Sequence, residues 1–119
     1  MKRDMGLIRQ ILLRIEADRD RPLDIPEVDR RIVEGHFELL VEAGLVNAKI
    51  AHTGAGSLAI MGTPRLSWDG HEFLDAARND RIWEKAKKTV GDRLTSVSFS
   101  VLQTLLTKLV LSELNINGP

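Results

Sequence analysis

This chain contains no cysteine, an absence that excludes disulfides, thiolate metal ligands and thiol nucleophiles together. Aromatic residues make up only 4% of the sequence, which is too few for the rows of exposed rings on which single-stranded nucleic acids stack. The formal net charge is zero, from 17 basic and 17 acidic residues. A cysteine-free composition suits a reducing compartment, so we expect a cytoplasmic protein.

Long apolar runs are also missing. The N-terminal stretch is interrupted by Arg9 and Arg14, and the apolar C-terminal stretch by Gln103, Lys108 and Glu113. A membrane-spanning helix needs about 20 predominantly apolar residues, and a signal peptide needs an unbroken apolar core. We therefore predict neither a signal peptide nor a membrane partner.

Apolar residues at helical spacing predict two helices in the first part of the chain. The first spans about residues 4–17 and is capped by Asp4. The second is capped by Asp29 and ends at Gly44, the residue type that most readily adopts a left-handed backbone. Between them, residues 23–25 suit a short edge strand. The side chains of the second helix that we expect in the core are Ile32, Val33, Phe37, Leu40 and Val41.

A third helix is predicted to begin at Asp69, which forms a capping box with Glu72, and to continue past a kink near Asn79. Ser98 is expected to cap a last, strongly apolar helix. The side chains expected in the core from the third helix and its start are Trp68, Phe73, Ala76, Ala77, Ile82, Trp83 and Ala86.

Two strand-like runs, at residues 46–51 and 58–66, lie between the second and third helices and are joined by a glycine-containing turn. This order predicts a mainly helical α+β fold: a winged helix-turn-helix with a two-stranded wing hairpin and an added C-terminal helix. We assign residues 1–91 to the winged-helix domain and residues 92–119 to an apolar helix for packing or dimerisation. Only residues 25–28 fill the place where a standard motif has one more helix.

Several stretches of the chain are familiar as a set. Residues 1–9 and 39–46, together with His36, resemble a small bacterial, phage and prophage family called domain of unknown function 2513. The tryptophan-containing residues 68–80 and 82–87 match it most specifically. The resemblance covers nearly the whole chain. It implies a winged-helix-like fold and frequent prophage residence, but it implies no established activity and offers no family catalytic residues.

A winged helix commonly places one helix in the major groove of DNA while its wing touches the backbone or the minor groove. The second helix offers Arg30 and Arg31 in its first turn, and the wing offers Lys49, His52 and Arg65. These are the predicted DNA contacts. The alternative is that the two arginines pair with neighbouring acids on a solvated surface.

Acidic residues argue against simple DNA binding. Residues 32–75 hold two basic and six acidic residues, a net charge of −4 that a phosphate backbone would repel. Glu34, Glu38 and Glu42 recur at every fourth position and would form one exposed acidic stripe of the second helix. Such a stripe suits a non-catalytic adaptor that binds another protein.

A second basic face is predicted on the third helix. Arg78, Arg81, Lys85 and Lys88 align along one side of a continuous helix, where they could contact phosphates. The same spacing is equally typical of a solvated helix face, with Glu84 available to Lys88.

The last helix carries a wide apolar stripe, and its members Leu102, Leu105, Leu106 and Leu109 are the candidates for self-association. A small domain has little core to cover such a stripe, so pairing with a second copy or with a protein partner would bury it. The alternative is that the helix folds back against the first helix and completes the core of the monomer.

Catalytic and cofactor-binding patterns are missing from the sequence. His36, His52 and His71 lack the close spacing of a helical metal site, and the glycines of the turn lack the lysine of a phosphate loop. We predict no catalytic residues, no metal and no cofactor. The favoured hypothesis is a DNA-binding, transcriptional regulator-like module that binds double-stranded DNA as a homodimer. The alternative is the protein-interaction adaptor.

Overall fold

The computed structural model describes residues 2–54, 56–95 and 97–114. Met1, Ala55 of the predicted turn, Ser96 and residues 115–119 of the predicted C-terminal segment lie outside the described residues. Within the described part, five α-helices and a two-stranded antiparallel sheet confirm the predicted α+β, mainly helical fold. The elements in chain order are α1 (Met5–Glu16), α2 (Arg30–Glu42), β1 (Val46–His52), β2 (Leu58–Leu66), α3 (Trp68–Ala77), α4 (Asp80–Val90), a 3₁₀ turn (Gly91–Thr95) and α5 (Phe99–Glu113).

Local capping explains where the helices begin. The carboxylate of Asp4 accepts a hydrogen bond from the Leu7 N–H at 3.1 Å, and that of Asp29 accepts one from the Arg31 N–H at 2.8 Å. Each satisfies a donor at the free end of a helix. After α2, Gly44 adopts a φ of +77°, and its left-handed backbone turns the chain into β1. These predicted helix ends are confirmed.

The predicted edge strand at residues 23–25 is wrong, because this segment forms turns. Leu23 and Ile25 are buried in the core, but the backbone carbonyls around them bind a side chain instead of a neighbouring strand. The Arg14 guanidinium of α1 donates to the carbonyls of Arg21, Pro22 and Asp24 at 2.8–3.1 Å. Those acceptors are therefore satisfied without a sheet.

The predicted third helix is two helices. The Asn79 side chain accepts from the backbone N–H groups of Arg81 and Ile82 at 2.9 and 3.1 Å, which begins α4. The carbonyls of Ala77 and Arg78, which a continuous helix would use itself, accept from the Arg9 guanidinium of α1 instead. These backbone groups at the break are thus hydrogen-bonded, and the third helix is two helices and not one kinked helix.

Ser67, and not Asp69, caps α3, since its hydroxyl accepts from the Gly70 N–H at 3.0 Å. The Ser67 hydroxyl in turn donates to the carbonyl of Gly44, which ties the start of α3 to the end of α2. Gly70 packs directly on the backbone of Leu45. The base of the hairpin and α3 are therefore held in close backbone contact.

One core joins all five helices of the described part to the hairpin. Trp83 is buried as predicted, but Trp68 is 78% exposed and Ile32 is 41% exposed, so both were wrongly placed inside. Helix α5 packs on α3 and α4, and the Phe99 ring lies 4.4 Å from that of Phe73, centroid to centroid. Ser98 caps α5 as predicted, accepting from the Val101 N–H. No helix in the described residues has the length and apolarity to cross a membrane.

Candidate nucleic-acid interface

The hairpin lies with one face on α2. Strands β1 and β2 pair from Val46 opposite Leu66 to His52 opposite Leu58. Alternate side chains point to opposite faces of a strand. The residues of the face toward the core, which we call the inner face, are half-buried: Ala48, Ile50, Leu58 and Ile60.

A bulge interrupts the pairing near the base of the hairpin. Asn47 pairs with Arg65 and Lys49 pairs with Met61, so Gly62, Thr63 and Pro64 together oppose the single residue Ala48. Gly62 has a φ of +83°, a conformation that favours glycine, and Pro64 has no N–H to pair. Bulges of this kind bend a strand and redirect its side chains.

The opposite side of the hairpin is open to solvent. We call it the outer face and define it by Asn47, Lys49, Met61 and Arg65, which are all exposed and pair across the two strands. Residues 46–66 contain no aspartate or glutamate. The outer face therefore carries two cations in a segment that has no carboxylate of its own.

Carboxylates of α2 bind the inner side of the hairpin. The Glu34 side chain accepts from the Leu58 N–H at 3.2 Å and from Arg30 at 2.8 Å. Glu38 pairs with the His52 imidazole. The side chains of Glu34 and Glu38 are only 12% and 34% exposed, so the predicted exposed acidic stripe is wrong for both, and Glu42 alone of the three is exposed.

The five predicted DNA contacts fall into distinct surroundings. Arg30 and His52 are paired with Glu34 and Glu38, and are thus not free cations. Arg31 lines the same shallow depression as His52, at the start of α2. Lys49 and Arg65 share the outer face. Within the described part of the chain, Arg31, Lys49 and Arg65 are exposed and form no ion pair: this is the set that remains available to an anionic ligand.

The second basic face does not exist as one helical stripe, since Arg78 precedes the break at Asn79 while the other three follow it. Arg78 donates to both carboxylate oxygens of Glu16 at 2.6 Å and to Asp75 at 2.8 Å. The Arg78 guanidinium holds the pKa of Glu16 below its ordinary value, and Glu16 and then Asp75 raise the pKa of Arg78.

Arg81 and Lys85 of α4 both bind Glu113 near the end of α5, the lysine at 3.0 Å. Hydrogen bonds from Arg81 and then Lys85 lower the pKa of Glu113 to about 2. Glu84 pairs with Lys87 and not with Lys88, which is exposed and without an ion pair among the described residues. Most of the cations predicted for this face are therefore paired with carboxylates of the same chain.

Two of the four leucines named for self-association are buried in the core of the monomer. Leu102 and Leu106 are fully buried, whereas Leu105 and Leu109 are half-buried. On the solvent side of α5, Val101 is exposed beside Leu105 and Lys108.

Two structural side chains were not singled out from the sequence. Arg9 binds Asp80 at 2.6 Å as well as the carbonyls at the end of α3, and its guanidinium carbon lies 5.4 Å from the Trp83 ring centroid. Asn47 stands between the cations of the outer face. The alternation of β1, in which Asn47 and Lys49 share a face, was the signal that could have found it.

His36 is fully buried with both ring nitrogens satisfied. Its Nε2 accepts from the Asp4 N–H at 2.8 Å, so Nδ1 carries the proton and donates to the Ile32 carbonyl at 2.8 Å. The three histidines lie on α2, β1 and α3. In the part of the chain that the structure describes, no group of three histidine or acidic side chains could hold a metal ion.

These observations define a small α+β domain in which a hairpin with a cationic outer face is fastened to a helical core. The chain belongs to the family described as "Hypothetical protein (DUF2513)", whose model matches residues 2–97. It is also similar to a Haemophilus influenzae protein named "Uncharacterized protein", with 33% identity over 92% of this chain and 99% of the relative. No solved structure matches it.

Proposed function

We propose that this chain is a double-stranded DNA-binding module of winged-helix type, in which β1 and β2 form the wing. The element order of helix, helix, hairpin and helix supports that architecture. Residues 25–28, which contain no helix, stand where a standard motif has an additional helix. This architecture and the family resemblance suit a transcriptional regulator of phage or prophage type.

The observation that carries the proposal is the set of free, exposed cations at Arg31, Lys49 and Arg65. The objection from the acidic middle of the chain is weakened by the geometry. Glu34 and Glu38 are turned to Arg30, the Leu58 N–H and His52, and Arg30 compensates the charge of Glu34. The outer face meets a phosphate backbone with cations and no carboxylate from its own segment.

Three phosphate contacts for each chain would give modest affinity, and a homodimer would double them. Leu105 and Leu109, together with exposed Val101, are among the apolar side chains of α5 that a second copy could still cover. The homodimer is part of the proposal.

The test is the salt dependence of binding. Fluorescence anisotropy of a labelled duplex titrated with the full chain, between about 25 and about 200 mM salt, yields the slope of log K against log salt. We expect a slope of about −3 for a monomer and about −5 for a dimer, because each neutralised phosphate contributes about −0.9. Absence of binding at low salt, or a slope near zero, would refute the proposal.

An adaptor that binds another protein is the second candidate. One observation favours it: Trp68, at the start of α3, is a large aromatic side chain left 78% exposed, and exposed tryptophans are typical anchors of protein interfaces. The surfaces first considered for this role offer less, since the acidic stripe is half-covered and two of the four leucines are buried.

A further inference from the structure

Helix α2 has little surface left with which to enter a groove. Every residue from 33 to 41 is buried or half-buried, because α1 covers one side of the helix and the hairpin another. Only the first turn, including Arg31 and Ile32, and the last residue, Glu42, are exposed. Recognition helices contact base edges chiefly with their N-terminal residues, so α2 could offer a groove its first turn and little more.

The outer face of the hairpin, unlike α2, is exposed and has the width of a DNA groove. Two strands about 4.8 Å apart, with their side chains, make a ribbon about 10 Å wide. The major groove of B-DNA is about 12 Å wide and admits such a ribbon, whereas the minor groove is about 6 Å wide. The inner face packs on α2, and the opposite face is therefore presented outward on a rigid support.

The chemistry of the outer face is that of a base-reading surface. Asn47 is exposed, stands opposite Arg65, and is two residues from Lys49 on the same face. An asparagine amide can donate to and accept from the major-groove edge of adenine at once, and flanking cations bind phosphates. The bulge beside Asn47 changes the local twist of the strands, as bulges at binding sites do.

We infer that the hairpin enters the major groove of DNA with its outer face, that Asn47 contacts a base edge there, and that Lys49 and Arg65 hold the flanking phosphates. This inference rests on the proposed function. It replaces α2 as the reading element.

The absence of cysteine makes a direct test possible, because a single introduced thiol reacts alone. Met61→Cys places the thiol on the outer face, where Met61 is 60% exposed, and the matched control Ile32→Cys places it on the exposed first turn of α2. The probe is a duplex whose cytosines carry a disulfide tether on N4, in the major groove. Exchange with a nearby thiol forms a covalent protein–DNA disulfide.

We expect Met61→Cys to cross-link about tenfold faster than Ile32→Cys when each rate is measured at a protein concentration that saturates the duplex. Faster or equal cross-linking of Ile32→Cys would overturn the inference and leave the proposed function standing. Binding without cross-linking of either variant would also overturn it. Failure of the parent chain to bind any duplex would refute the proposed function, and the inference with it.

Selection from duplexes with randomised positions tests the role of Asn47. We expect Asn47→Ala to lose about a tenfold preference at one base pair while the salt slope stays unchanged, since no charge is removed. The control Gln10→Ala removes an exposed amide from α1 and should keep the preference. An unaltered base preference of Asn47→Ala, or a parent chain without any preference, would contradict base reading by this residue.

Discussion

The outer face of the hairpin and the exposed side of α4 look alike as sequence, for each offers well-spaced cations. In the folded chain they differ. Arg81 and Lys85 of α4 share Glu113, whereas Lys49 and Arg65 have no acidic partner among the described residues. A count of cations along the chain therefore does not locate a binding surface, because the positions of the carboxylates decide which cations are free.

The origin of those carboxylates explains the difference. Glu113 reaches α4 from the end of α5, and Glu16 reaches Arg78 from the end of α1. Both are distant in sequence from the cations that they bind. The hairpin receives its carboxylates, Glu34 and Glu38, on the inner side only, which leaves the outer face cationic.

The largest effect is expected where the hairpin is joined to the core. A methyl group built on Gly70 would lie 2.1 Å from the Leu45 carbonyl oxygen, so backbone must move to admit it. We expect Gly70→Ala to lower the free energy of unfolding by about 3 kcal/mol, measured by urea denaturation. Gly54→Ala is the matched control, because no atom lies within 4 Å of its added carbon. Equal stability of the two variants would contradict the described packing.

Charge reversal compares the two basic regions directly. Lys49→Glu with Arg65→Glu is expected to weaken DNA binding about 100-fold at low salt, equivalent to about 2.7 kcal/mol, with the thermal transition nearly unchanged. Arg81→Glu with Lys85→Glu adds the same charge at α4. It should lower the melting temperature, because Glu113 loses both partners, and should weaken DNA binding far less. Equal losses of affinity would mean that only net charge matters.

The smallest effect concerns pH. The pKa of Glu113 is about 2 in the folded chain, below the ordinary value of 4.5, since Arg81 and Lys85 bind the ionised carboxylate. Its stabilising contribution is therefore present above pH 4.5 and is lost as the pH falls toward 2. We expect Glu113→Gln to melt slightly below the parent chain at neutral pH and together with it near pH 2. A difference that persisted at the lower pH would exclude the ion pairs as its cause.

Several expectations that depend on a few neighbouring residues were confirmed, although the Asp69 cap and the edge strand at residues 23–25 were wrong. Asp4, Asp29 and Ser98 begin their helices, and the two strands with their glycine turn form the hairpin. Other expectations were wrong because distant partners decide the outcome. The prediction of one third helix was wrong. Arg9, which is distant in sequence, donates hydrogen bonds to the backbone carbonyls at the break between α3 and α4. Trp68 was wrongly placed in the core: it is the first residue of α3, and its ring lies in solvent.

The candidate site was predictable in its parts and not in its arrangement. Arg31, Lys49 and Arg65 were named from their residue type and position, but nothing in the linear order separates them from Arg30, which is paired. Pairing requires an acid within a few ångströms, and the acid is supplied by whichever element packs nearby. Asn47 was overlooked, although its two-residue spacing from Lys49 places both side chains on one face of β1.

By itself, the amino-acid sequence determined the starts of α1, α2 and α5, the hairpin and the family, because caps, turns and apolar periodicity act within a few residues. Only the tertiary structure decided that α2 is enclosed, that the cations of α4 are neutralised and that the outer face of the hairpin is free. Burial and ion pairing depend on distances between residues remote in sequence, and those distances exist only once the core has formed.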